Sequence, residues 1–266
     1  MRIVVKVGTQ IIAGAHGLSL KKIGGLMGEI SNIINMGHQV ILVSSGAVGA
    51  GLPAVPYKGN SKDSFRKKIA AAIGQPLLMH DYIREAKKRK LAVAQILILS
   101  EDFTNREHFK NFVLNIEAML SHGVLPIINE NDVMKREDLR IGDNDSLSAE
   151  VAVGLRADKL IILTNQEGLY TANPDRDKNA KLVRIVEKVD SKIENFCSQR
   201  PSKLGRGGMI TKVRAAKYAT EGGVETYIGS GDKRDIIFKA VRKTPNGFPG
   251  TTFKKQKIKR RKKKII

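Results

Sequence analysis

The chain has 266 residues, of which 41% are hydrophobic and 27% are charged, and its net charge is +21. Long periodic apolar runs exclude a disordered chain, and no stretch approaches the roughly 20 uncharged apolar residues of a membrane-spanning helix. The first residues enter a strand pattern directly, without a signal-peptide pattern, so we expect no export and no membrane attachment. The single cysteine, Cys197, allows no intrachain disulfide, which favours a reducing, cytoplasmic location.

Short apolar runs alternate along the chain with amphipathic stretches. Strands are predicted at 3–7, 40–43, 92–99, 124–128, 159–163 and 224–228. Helices are predicted from Ser19 to Gly37, over 64–90 with an interruption at Gly74-Gln75-Pro76, and over 105–121, 145–156, 209–221 and 232–241. The section 165–208 is predicted to be rich in loops, with a turn at Asn173-Pro174-Asp175.

This alternation predicts an α/β fold with a mostly parallel central sheet sandwiched by helices, in a single domain with two lobes. Ligands of such sheets bind beyond the carboxyl ends of the strands. Lys6 lies at the end of the first strand, where a lysine is costly unless its ammonium group meets an anion or reaches water. Ser45-Gly46-Ala47 follows the second strand, and such small residues either form a tight turn or let backbone N–H groups approach a phosphate.

Polar and glycine-rich segments follow the later strands. Asn129-Glu130-Asn131-Asp132 and Gly142-Asp143-Asn144-Asp145 both follow the fourth strand, and together they favour a site for a small zwitterion. The stretch from Gly205 to Lys212 leads into a helix and is typical of a second lysine-bearing phosphate loop. No P-loop, H-E-x-x-H or G-x-S-x-G motif occurs, and the five histidines are scattered, so no metal site is predicted.

Six motifs occur in one order along the chain. They are Lys6-x-Gly8-Thr9, Ser44-Ser45-Gly46-Ala47, Asn129-Glu130-Asn131-Asp132, Gly142-Asp143-Asn144-Asp145-x-Leu147-Ser148-Ala149, Gly168-Leu169-Tyr170-Thr171 and Gly207-Gly208-Met209-x-Thr211-Lys212. In this order and spacing the chain resembles the glutamate 5-kinases of the amino-acid kinase superfamily. The resemblance covers 1–253, the amino-acid kinase domain, with a substrate-binding lobe over about 1–157 and a nucleotide-binding lobe over about 158–253.

The sequence departs from the family pattern at three places. The C-terminal PUA domain that many members carry is replaced by a basic tail over 254–266, so the resemblance implies a form without that domain. Asn165 stands where members commonly have Asp, and Arg206 stands where they often have Thr before the glycine pair.

The resemblance implies transfer of the γ-phosphoryl group of ATP to the side-chain carboxylate of L-glutamate, the first step toward proline. It implies that Lys6 and Lys212 contact the phosphoryl group and that Asp145 orients both lysines. It assigns glutamate binding to Ser45, Asp132 and Asn144. It assigns nucleotide binding to Lys6, Gly8, Gly46, Thr164, Asn165, Arg206, Gly207, Gly208, Met209, Ile210, Thr211 and Lys212.

The same resemblance implies that Mg²⁺ arrives with ATP, held mostly by phosphate oxygens and water. It also implies a homo-oligomer, a dimer or tetramer, and a partner reductase that consumes the glutamyl phosphate.

Two alternatives remain open at this point. The chain could act on another acceptor, such as N-acetylglutamate, or it could be a nucleic-acid-binding protein built on a degenerate kinase fold. The tail bears nine basic and no acidic residues between Lys254 and Lys264, so it is either a solvated appendage or a contact for polyanions such as nucleic acid. In both cases we expect it to be loosely attached to the core.

Overall fold

The computed structural model describes residues 1–14, 17–56, 63–135, 144–198, 208–242 and 247–257. The strands in these ranges are β1 (Arg2–Val7), β2 (Ala13–Gly14), β3 (Gly17–Leu18), β4 (Gln39–Ser44), β5 (Val93–Ile98), β6 (Leu125–Glu130), β7 (Lys159–Thr164), β8 (Ile185–Val186), β9 (Glu225–Ser230) and β10 (Thr251–Phe253). The helices are α1 (Thr9–Ile12), α2 (Leu20–Asn35), α3 (Ala47–Gly51), α4 (Ser64–Lys87), α5 (Arg106–Ser121), α6 (Asn144–Gly154), α7 (Ser191–Ser198), α8 (Met209–Glu221) and α9 (Ile236–Val241). Two short 3-10 helices span Leu52–Ala54 and Ser100–Phe103.

One mostly parallel sheet organises the molecule, which confirms the predicted fold class. Its strand order is β5-β6-β4-β1-β7-β9-β10-β8, and β2 and β3 form a separate small antiparallel pair. Strands β1, β4, β5, β6, β7 and β9 run parallel to one another, whereas β10 is antiparallel to β9. The carboxyl ends of the parallel strands therefore meet along one edge of the sheet.

The two faces of the sheet are covered by two separate apolar cores. In β1, Ile3, Val5 and Val7 pack on one side with residues of α2, α4 and α9. Val4 packs on the other side with residues of α5, α6 and α8. Because side chains alternate along a strand, Lys6 points to the same side as Val4, toward α6 and α8.

Local signals position the first long helix as predicted. The Ser19 hydroxyl caps α2 by accepting a hydrogen bond from the backbone N–H of Lys22 at 3.4 Å. Gly37 follows the helix with a φ of +80°, a conformation that costs glycine little.

The predicted interruption of the fourth helix is wrong, because α4 runs through Pro76 without a break. Contacts on both sides of the proline hold the helix together. A Cβ atom on Gly74 would lie 1.8 Å from the carbonyl oxygen of Ala47, so α4 and α3 meet backbone to backbone. Gln75 is held by hydrogen bonds to Asn129 and Gln95.

Several short elements were not predicted from the sequence, among them α1, β2, β3 and α3 in the first 51 residues and β8, α7 and β10 nearer the C-terminus. The section 165–208 contains β8 and α7, and β10 follows α9. β8 and β10 are two and three residues long and pair with each other, so their hydrogen bonds come from tertiary context and not from a local apolar pattern. The predicted helix over 232–241 begins only at Ile236, after Asp235 adopts a left-handed conformation.

Residues directly after β10 remain bound to the body of the molecule, so the expectation of a loosely attached tail is wrong for its first residues. The N–H of Lys254 donates to the carbonyl of Val186, and that of Gln256 donates to the carbonyl of Thr220, both at 2.9 Å. The rest of the basic tail, 258–266, lies outside the described residues. Among the described helices, none is long and apolar enough to cross a membrane.

Replacing Gly74 by alanine is expected to destabilise the protein by about 3 kcal/mol, because the new methyl group meets backbone atoms that cannot move independently. Gly25→Ala is the matched control, since its Cβ would have no atom within 4 Å and alanine favours a helix. The control is expected to raise stability by about 0.5–1 kcal/mol. Urea unfolding at pH 7 measures both, and equal stability of the two variants would contradict this packing.

Candidate active site

Four segments with polar side chains meet at the carboxyl edge of the sheet. β1 ends at Val7, one residue after Lys6, and β4 ends in the turn at Ser45-Gly46. β6 ends at Glu130, and α6 begins at Asn144. The topology thus brings together residues that are far apart in the sequence.

Lys6, Asp145 and Lys212 form a buried cluster of charges. The Nζ atom of Lys6 lies 2.6 Å from Oδ1 of Asp145, and the Nζ atom of Lys212 lies 3.0 Å from Oδ2 of the same carboxylate. The three residues come from β1, α6 and α8, and their side chains are 6%, 2% and 10% exposed, respectively. One carboxylate therefore orients two ammonium groups that would otherwise repel each other.

Asp145 is ionised under all ordinary conditions. Burial alone would raise the pKa of this carboxyl group, but the charges of Lys6 and Lys212, with hydrogen bonds from Lys6 and Thr211, lower it to about 2. The Thr211 hydroxyl lies 2.7 Å from Oδ2 of Asp145. Side chains from β1, α6 and α8 thus hold one another in place without a ligand.

The start of α8 contributes both Lys212 and a helix N-terminus. Gly208 is the residue before the helix, with an extended backbone, and its carbonyl lies 2.8 Å from the Thr211 hydroxyl. Met209 is buried, whereas Ile210 and Thr211 are partly exposed. Free N–H groups and the helix dipole at such a terminus favour an anion. Arg206 and Gly207 lie outside the described residues.

Two glycines follow strands β1 and β4 at this edge of the sheet. A Cβ atom on Gly8 would lie 3.7 Å from the Nζ atom of Lys6, so Gly8 is directly beside the ammonium group. Gly46 has a φ of +119° and precedes α3, and a Cβ atom there would approach the Cδ1 atom of Ile12 to 2.9 Å. The left-handed backbone and the close contact favour glycine at position 46, and both glycines leave the backbone beside them without a side chain.

Ser45 and Asn144 are joined by a direct hydrogen bond. The Nδ2 atom of Asn144 lies 2.9 Å from the Ser45 hydroxyl and 3.0 Å from Oδ1 of Asn129. The Oδ1 atom of Asn144 is buried and has no hydrogen-bond partner among the described residues. A buried acceptor in this state is costly, so it is suited to a donor carried by a ligand.

Asp132 lies beside Glu130 after the end of β6. Burial raises the pKa of the Asp132 carboxyl group, the neighbouring charge of Glu130 raises it further, and Lys135 lowers it, which leaves a value of about 6. Lys135 itself forms an ion pair with Glu130, with an Nζ to Oε2 distance of 2.6 Å. Asp132 is therefore a carboxylate in surroundings that disfavour its charge, and a bound cation would stabilise it.

Comparison with known proteins decides the family. The model of the amino acid kinase family matches residues 1–230. The chain belongs to the amino acid kinase family. It is 40% identical to the protein named glutamate 5-kinase of Streptococcus pneumoniae strain ATCC 700669. The aligned 247 residues cover 92% of this chain and 67% of that relative. It is 38% identical over the same length to the glutamate 5-kinase of Streptococcus gordonii.

Solved structures show the same amino acid kinase fold. Carbamate kinase from Giardia lamblia bound to AMP-PNP superposes with a TM-score of 0.67 at 17% identity, covering 96% of this chain and 98% of that one. An isopentenyl phosphate kinase superposes with a TM-score of 0.64 at 16% identity, covering 95% of this chain and 100% of that one. At these identities the likeness concerns the fold alone.

Thr164 and Asn165 lie at the end of β7, on the same edge of the sheet as the lysine cluster of this amino acid kinase. β7 is the neighbour of β1 on the side away from β4, and Val7 is paired with Leu163. Thr164 ends the strand and is buried, whereas Asn165 is exposed. Their side chains form a hydrogen bond with each other at 3.3 Å. The two residues therefore border the site from the side opposite Ser45.

Sequence reasoning missed two residues that support the site. The Tyr82 hydroxyl lies 2.8 Å from that of Ser44, the residue before Ser45, and burial raises the pKa of Tyr82. Gln75 accepts a hydrogen bond from Asn129 at 2.9 Å. Both residues lie on α4, and no motif marks them. The only local signal for these two residues is a polar group on a largely apolar helix face, and this signal does not show which residue the polar group contacts.

Proposed function

We propose that this amino acid kinase transfers the γ-phosphoryl group of ATP to the side-chain carboxylate of L-glutamate, giving L-glutamyl 5-phosphate, the first step toward proline. The observation that carries the proposal is the buried Lys6–Asp145–Lys212 cluster next to the hydrogen-bonded pair of Ser45 and Asn144. The identity of 40% to a curated glutamate 5-kinase supports glutamate as the acceptor.

The residues at the site suit phosphoryl transfer to a carboxylate. A side-chain carboxylate with a pKa near 4.3 is already ionised at pH 7, so the reaction needs no general base. One oxygen of the glutamate carboxylate attacks the γ-phosphorus, and the bond from that phosphorus to the β–γ bridging oxygen breaks, releasing ADP. The obstacle is the repulsion between two anions, which positioned cations and backbone N–H groups reduce.

In this proposal Lys6 and Lys212 contact the transferring phosphoryl group and the adjacent phosphates. Asp145 touches both ammonium groups and acts as their positioning residue. The fixed geometry matters because charge develops on the phosphoryl oxygens during transfer, and donors already in place need no reorganisation.

The nucleotide is proposed to lie between the Gly8 and Gly46 turns, the end of β7 and the start of α8. Backbone N–H groups of Gly8, Gly46 and 208–211 would bind phosphates, and Thr164 and Asn165 would border the nucleotide. Arg206 and Gly207, outside the described residues, are proposed for the same half of the site. A Mg²⁺ that accompanies ATP would be bound mostly by phosphate oxygens and water. The bound Mg²⁺ would neutralise part of the negative charge of the phosphates.

The glutamate half of the site is proposed to comprise Ser45, Asp132 and Asn144. The Asp132 carboxylate would pair with the substrate ammonium group, and that pairing would offset the burial that disfavours its charge. The buried Oδ1 atom of Asn144 would accept a hydrogen bond from the same ammonium group. The Ser45 hydroxyl would donate to a substrate carboxylate.

An ADP-release assay with a panel of acceptors tests this function. We expect glutamate to support the highest kcat/KM, above N-acetylglutamate, aspartate and UMP. N-acetylglutamate has no ammonium group, so it cannot pair with Asp132. A higher kcat/KM for any of the other three acceptors would overturn the proposal, and RNA binding without any ADP release would favour a degenerate kinase.

The affinity for glutamate is expected to fall as the pH is lowered through about 6, where Asp132 takes up a proton and loses its charge. The glutamate KM should then rise about tenfold per pH unit below that value, because the substrate itself keeps its charges down to about pH 5. The ATP KM should be nearly constant.

Asp132→Asn is the matched control for this pH dependence. At pH 7.5 it should raise the glutamate KM by about tenfold or more and leave the ATP KM within about twofold. Between about pH 5.5 and 7.5 its glutamate KM should be flat. A variant that keeps the wild-type pH profile would show that another group titrates.

The oligomeric state, the functional partner and the cellular location are also proposals. We propose a homo-oligomer, a dimer or tetramer, because α4 exposes the large apolar side chains of Phe65, Leu77 and Ile83, which a second copy could cover. A reductase that consumes the acyl phosphate is the proposed functional partner, in the cytoplasm. Light scattering of the purified chain measures its oligomeric mass.

A further inference from the structure

Gln75 is a buried polar residue on α4 to which the proposed function gives no role. It lies beside Pro76, in the part of α4 where the chain continues as a helix instead of breaking. Its side chain is surrounded by protein, with 8% of the residue exposed, and Asn129 on β6 is 2% exposed. A buried side-chain amide destabilises the fold unless its N–H and C=O groups are hydrogen-bonded.

A continuous chain of side-chain amides leads from the candidate glutamate site to Gln75. Asn144 Nδ2 lies 3.0 Å from Asn129 Oδ1, and Asn129 Nδ2 lies 2.9 Å from Gln75 Oε1. Gln75 Nε2 in turn lies 3.0 Å from Oε1 of Gln95 on the edge strand β5. Asn144, Asn129 and Gln75 each donate to the next side chain on the way to Gln95, and Asn144 Nδ2 also donates to the Ser45 hydroxyl.

Two contacts together set the orientation of the Asn129 amide, one from the backbone N–H of Glu130 and one from Gln75. The N–H of Glu130 donates to Asn129 Oδ1 at 2.9 Å, so that oxygen must face the strand and Asn144. The Nδ2 atom of Asn129 is then directed toward α4, where Gln75 Oε1 accepts its hydrogen. With Asn129 held this way, Asn144 must present Nδ2 to it, and Asn144 Oδ1 is left buried with no partner in the described part of the chain.

We infer that Gln75 is a positioning residue for glutamate binding, which it controls through Asn129 and Asn144. Gln75 keeps the Asn144 amide turned so that its oxygen, and not its nitrogen, is available to the substrate ammonium group. Without the acceptor on α4, Asn129 can turn its amide, and Asn144 can then turn its nitrogen toward the substrate. This inference rests on the proposed function, since it concerns the glutamate half of the same site.

The test compares Gln75→Met with Gln95→Met in the full-length protein. Methionine has nearly the length of glutamine, but its thioether sulfur is only a weak acceptor for the Asn129 hydrogen, so we expect the glutamate KM to rise at least about fivefold, as for a buried donor left unpaired. The ATP KM should stay within about twofold, because Lys6 and Lys212 are held by Asp145 and not by this chain of amides. Gln95 is exposed, so water can replace it, and Gln95→Met should leave both KM values within about twofold.

A third variant separates positioning from packing and covers the case in which Gln75→Met fails to fold. Gln75→Glu keeps an oxygen that accepts from Asn129, so its glutamate KM should stay within about threefold of the wild type. A wild-type enzyme without glutamate-dependent ADP release would refute the proposed function itself. With an active wild type, the inference is overturned by an unchanged glutamate KM in Gln75→Met, by an equal rise in the ATP KM, or by a rise of about fivefold or more in Gln75→Glu.

Discussion

Replacing Lys6 or Lys212 by alanine is expected to lower kcat by about 30-fold to 1,000-fold, which corresponds to about 2–4 kcal/mol for removing one preorganised donor. Both ammonium groups are already held on Asp145, at 2.6 and 3.0 Å, so they are in position when charge develops on the phosphoryl group. The KM values should change much less, because the main gain of such contacts comes in the transition state.

Steady-state kinetics with varied ATP and glutamate measure this effect. Lys217→Ala is a matched control on the same helix, since Lys217 pairs with Glu194 at the surface and lies away from the cluster. Its kcat should stay within about twofold of the wild type. A tenfold rise in KM at constant kcat, in either active-site variant, would contradict the proposed role of the two lysines.

Asp145→Asn is expected to lower the free energy of unfolding by about 3–5 kcal/mol, because it removes the carboxylate shared by two buried ammonium groups. The folded-state pKa of Asp145, about 2, lies below its ordinary value of 3.8. A carboxyl group with a lowered pKa stabilises the fold above its ordinary pKa, and this stability is lost as the pH falls from about 4 to about 2. The Asn variant should lack that part of the acid dependence.

Urea unfolding at pH 7 and at pH 3 measures both effects. Glu194→Gln is the control, since it removes a carboxylate from an exposed pair with Lys217 and should cost less than about 1 kcal/mol. Equal stability of Asp145→Asn and Glu194→Gln at pH 7 would mean that the buried cluster does not stabilise the fold.

The parallel sheet and the ends of its strands were predictable from the sequence. A lysine within an apolar strand, followed closely by glycine, is costly unless its ammonium group meets an anion or reaches water, so Lys6 was one of several candidates at the strand ends. The fold brings it onto Asp145, a residue that is distant along the chain. The parallel arrangement of the strands makes that meeting a consequence of topology.

Other parts of the site could not be predicted because they depend on tertiary contacts. Pro76 indicates a broken helix by local propensity, yet the close backbone contact at Gly74 and the hydrogen bonds of Gln75 hold α4 together. Ser44 and Tyr82 meet only because α4 packs beneath the end of β4. Strand β10 has three residues, too few for a periodic pattern, and exists because β9 and β8 flank it.

Capture of the reaction product tests the central claim most directly. An acyl phosphate reacts with hydroxylamine to give a hydroxamate, so incubation of the protein with ATP, L-glutamate and hydroxylamine reports which carboxylate accepted the phosphoryl group. We expect one glutamate 5-hydroxamate for each ADP released, identified by mass spectrometry, and about 30-fold to 1,000-fold less of it with Lys212→Ala over the same time. Release of ADP without the hydroxamate, or a hydroxamate formed from N-acetylglutamate in preference to glutamate, would contradict the account.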